Sequence, residues 1–245
     1  MEYIYPDAQN SHSKRVASVM PKIIPAISRG LDTQEFISSS IIACNALDTS
    51  KGSEESAVNS VYNAARVGLY LGGVLGHAFI TPRKGRFVLI VGYKGYLELA
   101  FSNGFLSDCH AEVILKGERF ERFNNSSGPQ LMHEIPIERC LDRSSVAGAY
   151  CIYHTRAGGH GLAVVSRQEL NRVDTQANVW ASDYIPMAKK TAIRAAAKWW
   201  QVTQNLAMAM RLDDQADADE PQSVGDGLKL DQGDEAFSLK SLKPE

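Results

Sequence analysis

From Asp183 to Asp213 the chain passes through no acidic residue, yet Lys189, Lys190, Arg194, Lys198 and Arg211 all lie inside that interval. The stretch at its head, 180–200, is rich in alanine, and Met187 and Lys189 add helix propensity. Ser182 or Asp183 can cap its start, and Pro186 is tolerated in a first turn. The reading is one helix from about 184 to 210. At about 100° per residue, Lys190, Arg194 and Lys198 share an arc of roughly 80°, with Ala188, Ala192, Ala196, Trp199 and Trp200 on the other side. Lys189 falls outside that arc, so two adjacent lysines are expected to do different jobs. Like charges one turn apart weaken an isolated helix by roughly 0.2–0.5 kcal/mol per pair. A solvated helix face intersperses both signs, so the missing carboxylates point to a polyanion outside the helix.

The net charge of −2 hides a division along the chain. Residues 211–245 carry ten acidic side chains against Arg211, Lys229, Lys240 and Lys243, a balance of −6, which leaves +4 for residues 1–210. The body is mildly basic and the tail strongly acidic, so the overall average says little about partners. With 245 residues, 44% of them hydrophobic, the chain can bury a core as one domain with appendages. Residues 1–11 read as a flexible lead-in, 12–212 as the folded domain and 213–245 as a disordered acidic tail. In that tail too few apolar groups offset backbone ordering costs of about 1–2 kcal/mol per residue. Phe237, Leu239 and Leu242 form a short apolar run near its end, suited either to docking on a partner or to nothing beyond solubility.

The body alternates helical and extended patterns, which predicts an α+β fold: a helical N-terminal part, a central antiparallel sheet of hairpins and the long basic helix. Val16, Val19, Ile23, Ile24 and Ile27 have helical spacing, interrupted by Pro21 and Pro25. Asp32 with Glu35 resembles a capping box for a helix to about Leu47, and Ser53 can cap a third. His77 to Thr81 and Arg86 to Val91 read as strands joined by the turn 82–85, and Tyr93 to Asn103 as a short helix closed by Gly104. Cys109 to Lys116 is another strand, which 119–123 extends or pairs. The runs 146–156 and 161–166 form a hairpin split by Gly158 and Gly159. Gln168 to Val173 starts a helix.

Several chemistries find no support. The glycines of 68–76 are followed by no Gly-Lys-Ser/Thr, and no P-loop pattern occurs anywhere, which speaks against ATP-driven activity. Cys44, Cys109, Cys140 and Cys151 form no CxxC pair and read as buried, reduced thiols. His12, His77, His110, His133, His154 and His160 are scattered without ligand spacing. No apolar run approaches about 20 residues and the start lacks a signal-peptide core.

Three segments carry a resemblance. Leu75-Gly-His-Ala-Phe-Ile-Thr-Pro82, Val91-Gly-Tyr-Lys-Gly-Tyr-Leu-Glu-Leu-Ala100 and Met187-Ala-Lys-Lys-Thr-Ala-Ile-Arg194, with Trp180 ahead of the last, are similar in order and spacing to the RecT family of phage-type single-strand DNA annealing proteins. The similarity covers roughly residues 20–200. It implies ATP-independent binding of single-stranded DNA, pairing of complementary strands during homologous recombination, and assembly into rings or helical filaments. It also implies an α+β core whose sheet and long helix bound a basic groove, and action in the cytoplasm of a bacterium or phage-infected host. The DNA-binding candidates in the matched motifs are Tyr93, Lys94, Lys189, Lys190, Thr191 and Arg194. Arg86 and Lys198 join them by position. No cofactor is expected: no ATP, and Mg²⁺ at most as an aid to annealing. A partner exonuclease or a host single-strand binding protein fits the same picture, and the acidic tail is a candidate partner-binding segment.

Two other readings compete. A passive single-strand binding protein would use the same basic face with its aromatics. A metal-dependent nuclease would need carboxylates such as Glu98, Asp108 and Glu112, residue types that are ordinary on helix and strand surfaces.

Overall fold

The computed structural model describes residues 3–73, 75–174, 180, 183–201 and 203–223. They belong to two compact units, Met1–Val91 with Arg211–Glu245, and Gly92–Met210. The class is α+β with antiparallel sheets. Among the described residues no helix is long and apolar enough to cross a membrane.

In the first unit, α1 (Ser11–Ile23) is capped by Asn10, whose side chain accepts from the Ser13 amide while Ser13 reaches back to the Asn10 amide. Pro21 is accommodated inside α1, and a single 3-10 turn, Ile24–Ala26, follows. Asp32 caps α2 (Thr33–Asn45) through the Glu35 amide at 2.8 Å. Ser53 caps α3 (Glu54–Val67), which ends on left-handed Gly68 with φ 84°. The helices pack through Val16, Met20, Ile37, Ile41, Val58 and Val61, all fully buried. Each such side chain contributes about 1.5–3 kcal/mol relative to exposure. The hairpin β1 (Ala78–Arg83) and β2 (Arg86–Val91) lies against α3. Its turn, Lys84-Gly85, has φ 43° and 77°, the left-handed pair that matches the twist of two-residue hairpins.

Two expectations at the edges of this unit give way. The lead-in 1–11 is expected to be flexible, yet the Ile4 amide donates to Gln34 Oε1 at 2.9 Å and Asn10 Nδ2 donates to the Cys44 carbonyl at 2.9 Å. Side-chain amides of α2 thus take up backbone groups that a free terminus would leave to water, as where Asn45 Nδ2 donates to the Asp7 carbonyl at 2.9 Å, and Asn10 in turn ties the segment to the end of α2. Disorder is expected from 213, yet the helix α7 (Gln204–Asp217) runs through that boundary. Beyond it, Asp219 and Gln222 bond to the β1–β2 hairpin. The rest of the expected tail lies outside the described residues.

The second unit holds α4 (Tyr93–Ser102), β3 (Leu106–Leu115), β4 (Arg119–Asn125), β5 (Gly128–Glu134), β6 (Val146–Thr155), β7 (His160–Ser166), α5 (Arg167–Val173), α6 (Tyr184–Ala197) and α7 as far as Met210. The sequence predicts one central sheet, and among the described residues the strands instead form three: β1-β2 in the first unit, β3-β6-β7, and β4-β5. The β4-β5 ribbon meets the larger sheet through side chains, the Phe120 ring lying 5.6 Å from that of Tyr150, and not through strand pairing. Its second strand, Gly-Pro-Gln-Leu-Met-His-Glu, carries no β-branched residue and gives no strand signal. Helix α6 lies across β3, β6 and β7, seated through Ala188, Ala192 and Ala196. Gly161 of β7 is required by its cross-strand partner on β6: a Cβ there would meet the Tyr153 ring at 2.4 Å.

Candidate nucleic-acid interface

Helix α6 is anchored at its start by aromatics. Tyr184 is buried between the guanidinium groups of Arg143 and Arg167, 5.1 and 5.0 Å from its ring, and the Trp180 ring meets it edge-on at 5.4 Å. Burial pushes the Tyr184 hydroxyl above its ordinary pKa. Of the two expected caps, Asp183 makes no side-chain capping bond, and Ser182 lies outside the described residues. At the other end the Trp199 and Trp200 amides reach the Ala196 and Ala197 carbonyls, tightening the last turn. The expected single helix 184–210 is therefore two, with a break between Ala197 and Gln204. Thr203 restarts the chain as a cap, its hydroxyl accepting from the Leu206 amide at 3.3 Å.

Along the expected cationic arc, exposure rises toward the helix end. Lys190 is only 6% exposed, Arg194 is half-buried and Lys198 is exposed. The Lys189 ammonium is fixed 3.0 Å from the Glu112 carboxylate. Thr191 donates its hydroxyl to the Met187 carbonyl of its own helix at 2.9 Å. On α4, which packs against α6, Tyr93 is half-buried and Lys94 exposed. Arg86 lies in the first unit, where its guanidinium donates to the Asp219 carbonyl and carboxylate. The structure thus brings Tyr93, Lys94, Lys189, Lys190, Thr191, Arg194 and Lys198 into one unit, and Arg86 into the other.

The two adjacent tryptophans separate cleanly. Trp200 is buried, edge-on to Tyr153 at 5.9 Å, whereas Trp199 is 79% exposed next to exposed Lys198. An aromatic face beside a cation, with no acidic residue between Asp183 and Asp213, can stack on a planar base while the cation meets phosphate.

Sequence reasoning missed the groups behind Lys189. Glu112 also faces Arg139 at 3.6 Å, and Arg139 donates to Glu118 at 2.7 and 3.0 Å. Glu118 in turn meets His133 Nε2 at 3.0 Å, and His133 Nδ1 lies 3.3 Å from the Tyr150 hydroxyl. Burial pushes the Glu112 and Glu118 carboxyls up, but the hydrogen bonds and charges of Val113, Lys189 and Arg139 around the first, and of Arg139, Leu115 and His133 around the second, outweigh it and hold both below the ordinary carboxylate range. Arg139 comes from the irregular segment between β5 and β6, where no periodicity could have marked it. Of the carboxylates considered for a nuclease, Glu112 is thus held by cations, and among the described residues no group of three or more His, Cys, Asp or Glu could hold a metal ion.

All four thiols are free. Cys44 and Cys151 are buried as expected, whereas Cys140 is exposed, and Cys109 lies 3.4 Å from Cys151 across β3 and β6.

Comparison with known proteins bears on this arrangement. The RecT family matches residues 34–225, which include every candidate residue. Protein RecT of Escherichia coli (strain K12) is 28% identical over 172 residues, covering 65% of this chain and 62% of that protein. The uncharacterized protein YqaK of Bacillus subtilis (strain 168) is 26% identical over 155 residues, covering 60% of this chain and 51% of its own length. The chain thus spans between half and two thirds of these relatives.

Proposed function

Given that this chain belongs to the RecT family, we propose that it is an ATP-independent single-strand DNA annealing protein acting in homologous recombination. The family match over residues 34–225 carries the reading. The chemistry of the second unit supports it. Lys94, Arg194 and Lys198 supply positive charge that reaches solvent in full or in part, and Trp199 supplies a stacking face. Phosphate attraction gives sequence-independent affinity and leaves Watson–Crick edges available for a second strand. With about three phosphates neutralised per subunit, the log-log salt slope on single strands is near −2. One subunit holds DNA weakly, and copies arrayed in a ring or filament gain through effective concentration. An exonuclease that exposes single strands, or a host single-strand binding protein that coats them, is the class of partner this activity needs.

Mixing the protein with two complementary oligonucleotides, without nucleotide, tests the reading. Duplex formation is expected to accelerate. Absence of acceleration across a wide range of salt and Mg²⁺ would overturn it. The exposed Trp199 also suits a passive single-strand binding protein, which would bind the same oligonucleotides and slow their pairing. The sign of the rate change separates the two.

A further inference from the structure

The first unit carries a second set of cations whose counter-charge comes from the distant end of the chain. Arg83 and Arg86 are register partners at the closed end of the β1–β2 hairpin, and Lys84, 74% exposed, forms the turn between them. Like charges directly opposite one another destabilise a strand pair, so this turn needs an anion. The structure supplies one: the Asp219 carboxylate meets Lys84 and Arg86, the Asp219 carbonyl accepts from Arg86, and the Ala216 carbonyl accepts from Arg83 at 2.6 Å. One carboxylate and two carbonyls are thus arranged around three cations, much as the oxygens of a phosphodiester chain would be. The Asp219 backbone has φ 61°, the left-handed conformation that aspartate tolerates better than most residues. Hydrogen bonding and charge from Lys84, with Arg86 and Arg83 adding to it, hold the Asp219 carboxyl below its ordinary range.

On either side of this clamp the same segment is fastened differently. Asp213 Oδ1 accepts from the Val91 amide at 3.1 Å, and Gln222 both accepts from the Leu89 amide at 2.6 Å and donates to its carbonyl at 2.7 Å. Those bonds cover the edge of β2 and do not involve the cations. The clamp is also incomplete, since Arg86 Nε is buried and has no hydrogen-bond partner among the described residues.

We infer that residues 213–223 form an acidic strap that occupies a polyanion site at the β1–β2 turn and yields it to the sugar-phosphate chain of single-stranded DNA. The inference rests on the proposed ligand, single-stranded DNA, and adds a site and its regulation. Exposed ion pairs are worth about 0–1 kcal/mol and are screened by salt, so one carboxylate is a weak competitor. A chain of phosphates displaces it and gains by counterion release. The strap thereby lowers affinity for short or sparse single strands and yields to long ones.

Asp219→Asn, which keeps the side chain's size and removes its charge, tests the strap. Binding of labelled oligo(dT) is expected to tighten about two- to fivefold at low salt, with the salt slope steepened by about 0.7 per cation released. Adding Lys84→Gln to that variant is expected to cancel much of the gain. Unchanged affinity and slope in a folded Asp219→Asn protein, or weaker binding, would overturn the inference. Hydrogen exchange of the unsubstituted protein gives an independent readout: saturating oligo(dT) is expected to speed exchange across 214–223, and unchanged or slower exchange overturns the strap. If the unsubstituted protein binds oligo(dT) but neither readout moves, only the strap fails. If it binds none at any salt, the annealing reading fails with it.

Discussion

The two units meet charge in opposite ways. In the second, the Glu118 side chain is 5% exposed and is held by Arg139 and His133 behind the sheet. In the first, Lys84 and Asp219 pair at a solvent-facing turn. Breaking a buried pair strands a desolvated charge and costs about 3–5 kcal/mol, whereas an exposed pair is worth about 0–1 kcal/mol. Burial, more than the number of ion pairs, separates scaffold from switch. Glu118→Ala is therefore expected to lose about 3–5 kcal/mol in urea denaturation, the largest effect of any substitution considered. Asp219→Asn is expected to lose less than about 1 kcal/mol in the same experiment. Similar losses for the two would break the contrast.

Acid sharpens the same comparison with a smaller effect. Glu112 and Glu118 have folded-state pKa values below their unfolded ones. Their contribution is thus fully present above the unfolded carboxylate value of about 4.3 and is lost as pH falls through the folded value. The second unit is expected to lose stability below about pH 4. The loss should be less than that of Glu118→Ala, because a protonated carboxyl keeps its volume and one hydrogen bond. Denaturation midpoints followed through tryptophan fluorescence at neutral and acid pH check this. Glu118→Gln should flatten the acid limb, and an unchanged limb would remove Glu118 from its cause.

How far the sequence foretold this contrast depends on the range of each interaction. Local signals were legible: Asp32 and Ser53 cap the helices they were expected to cap, and the Lys84-Gly85 turn joins the expected strands. The helical wheel fixed the phase of Lys190, Arg194 and Lys198, but phase does not say how deep a face lies. Lys190 went inside, Arg194 reached solvent in part and only Lys198 at the helix end reached it fully. The break before Gln204 had a local signal, since its cap Thr203 follows Trp199, Trp200 and Val202, all of modest helix propensity, but the alanine-rich stretch ahead of it and Leu206 to Met210 beyond it outweighed that signal. Glu118 with Arg139, and Arg86 with Asp219, join residues 21 and 133 apart, and neither partner predicts the other from composition. The family motifs gave the candidate cations without their counter-charges, which is why Lys189 and Lys190 could be told apart only in part.

Trp199→Ala tests the open end of α6. Loss of one stacking face is worth about 1–3 kcal/mol in single-strand affinity. Binding of oligo(dT) is expected to weaken accordingly while urea stability stays put, since Trp199 is 79% exposed and Trp200 carries the packing. If the substitution leaves DNA affinity intact and instead lowers the oligomeric mass seen in sedimentation, Trp199 belongs to a contact between copies.

The smallest effect separates two lysines of the same region. Lys189 is held on Glu112, so Lys189→Ala should leave the salt slope of DNA binding near its original value and lower stability by about 1 kcal/mol, the worth of a partly buried pair. Lys198 is exposed at the end of the helix, so Lys198→Ala should leave stability within about 0.5 kcal/mol and flatten the slope by about 0.7, one phosphate contact. The reversed pattern would mean that the 3.0 Å Lys189–Glu112 bond opens to DNA and that Lys198 supports the fold. Because the two substitutions remove the same charge, net electrostatic attraction cannot explain a difference between them; only what each ammonium faces can.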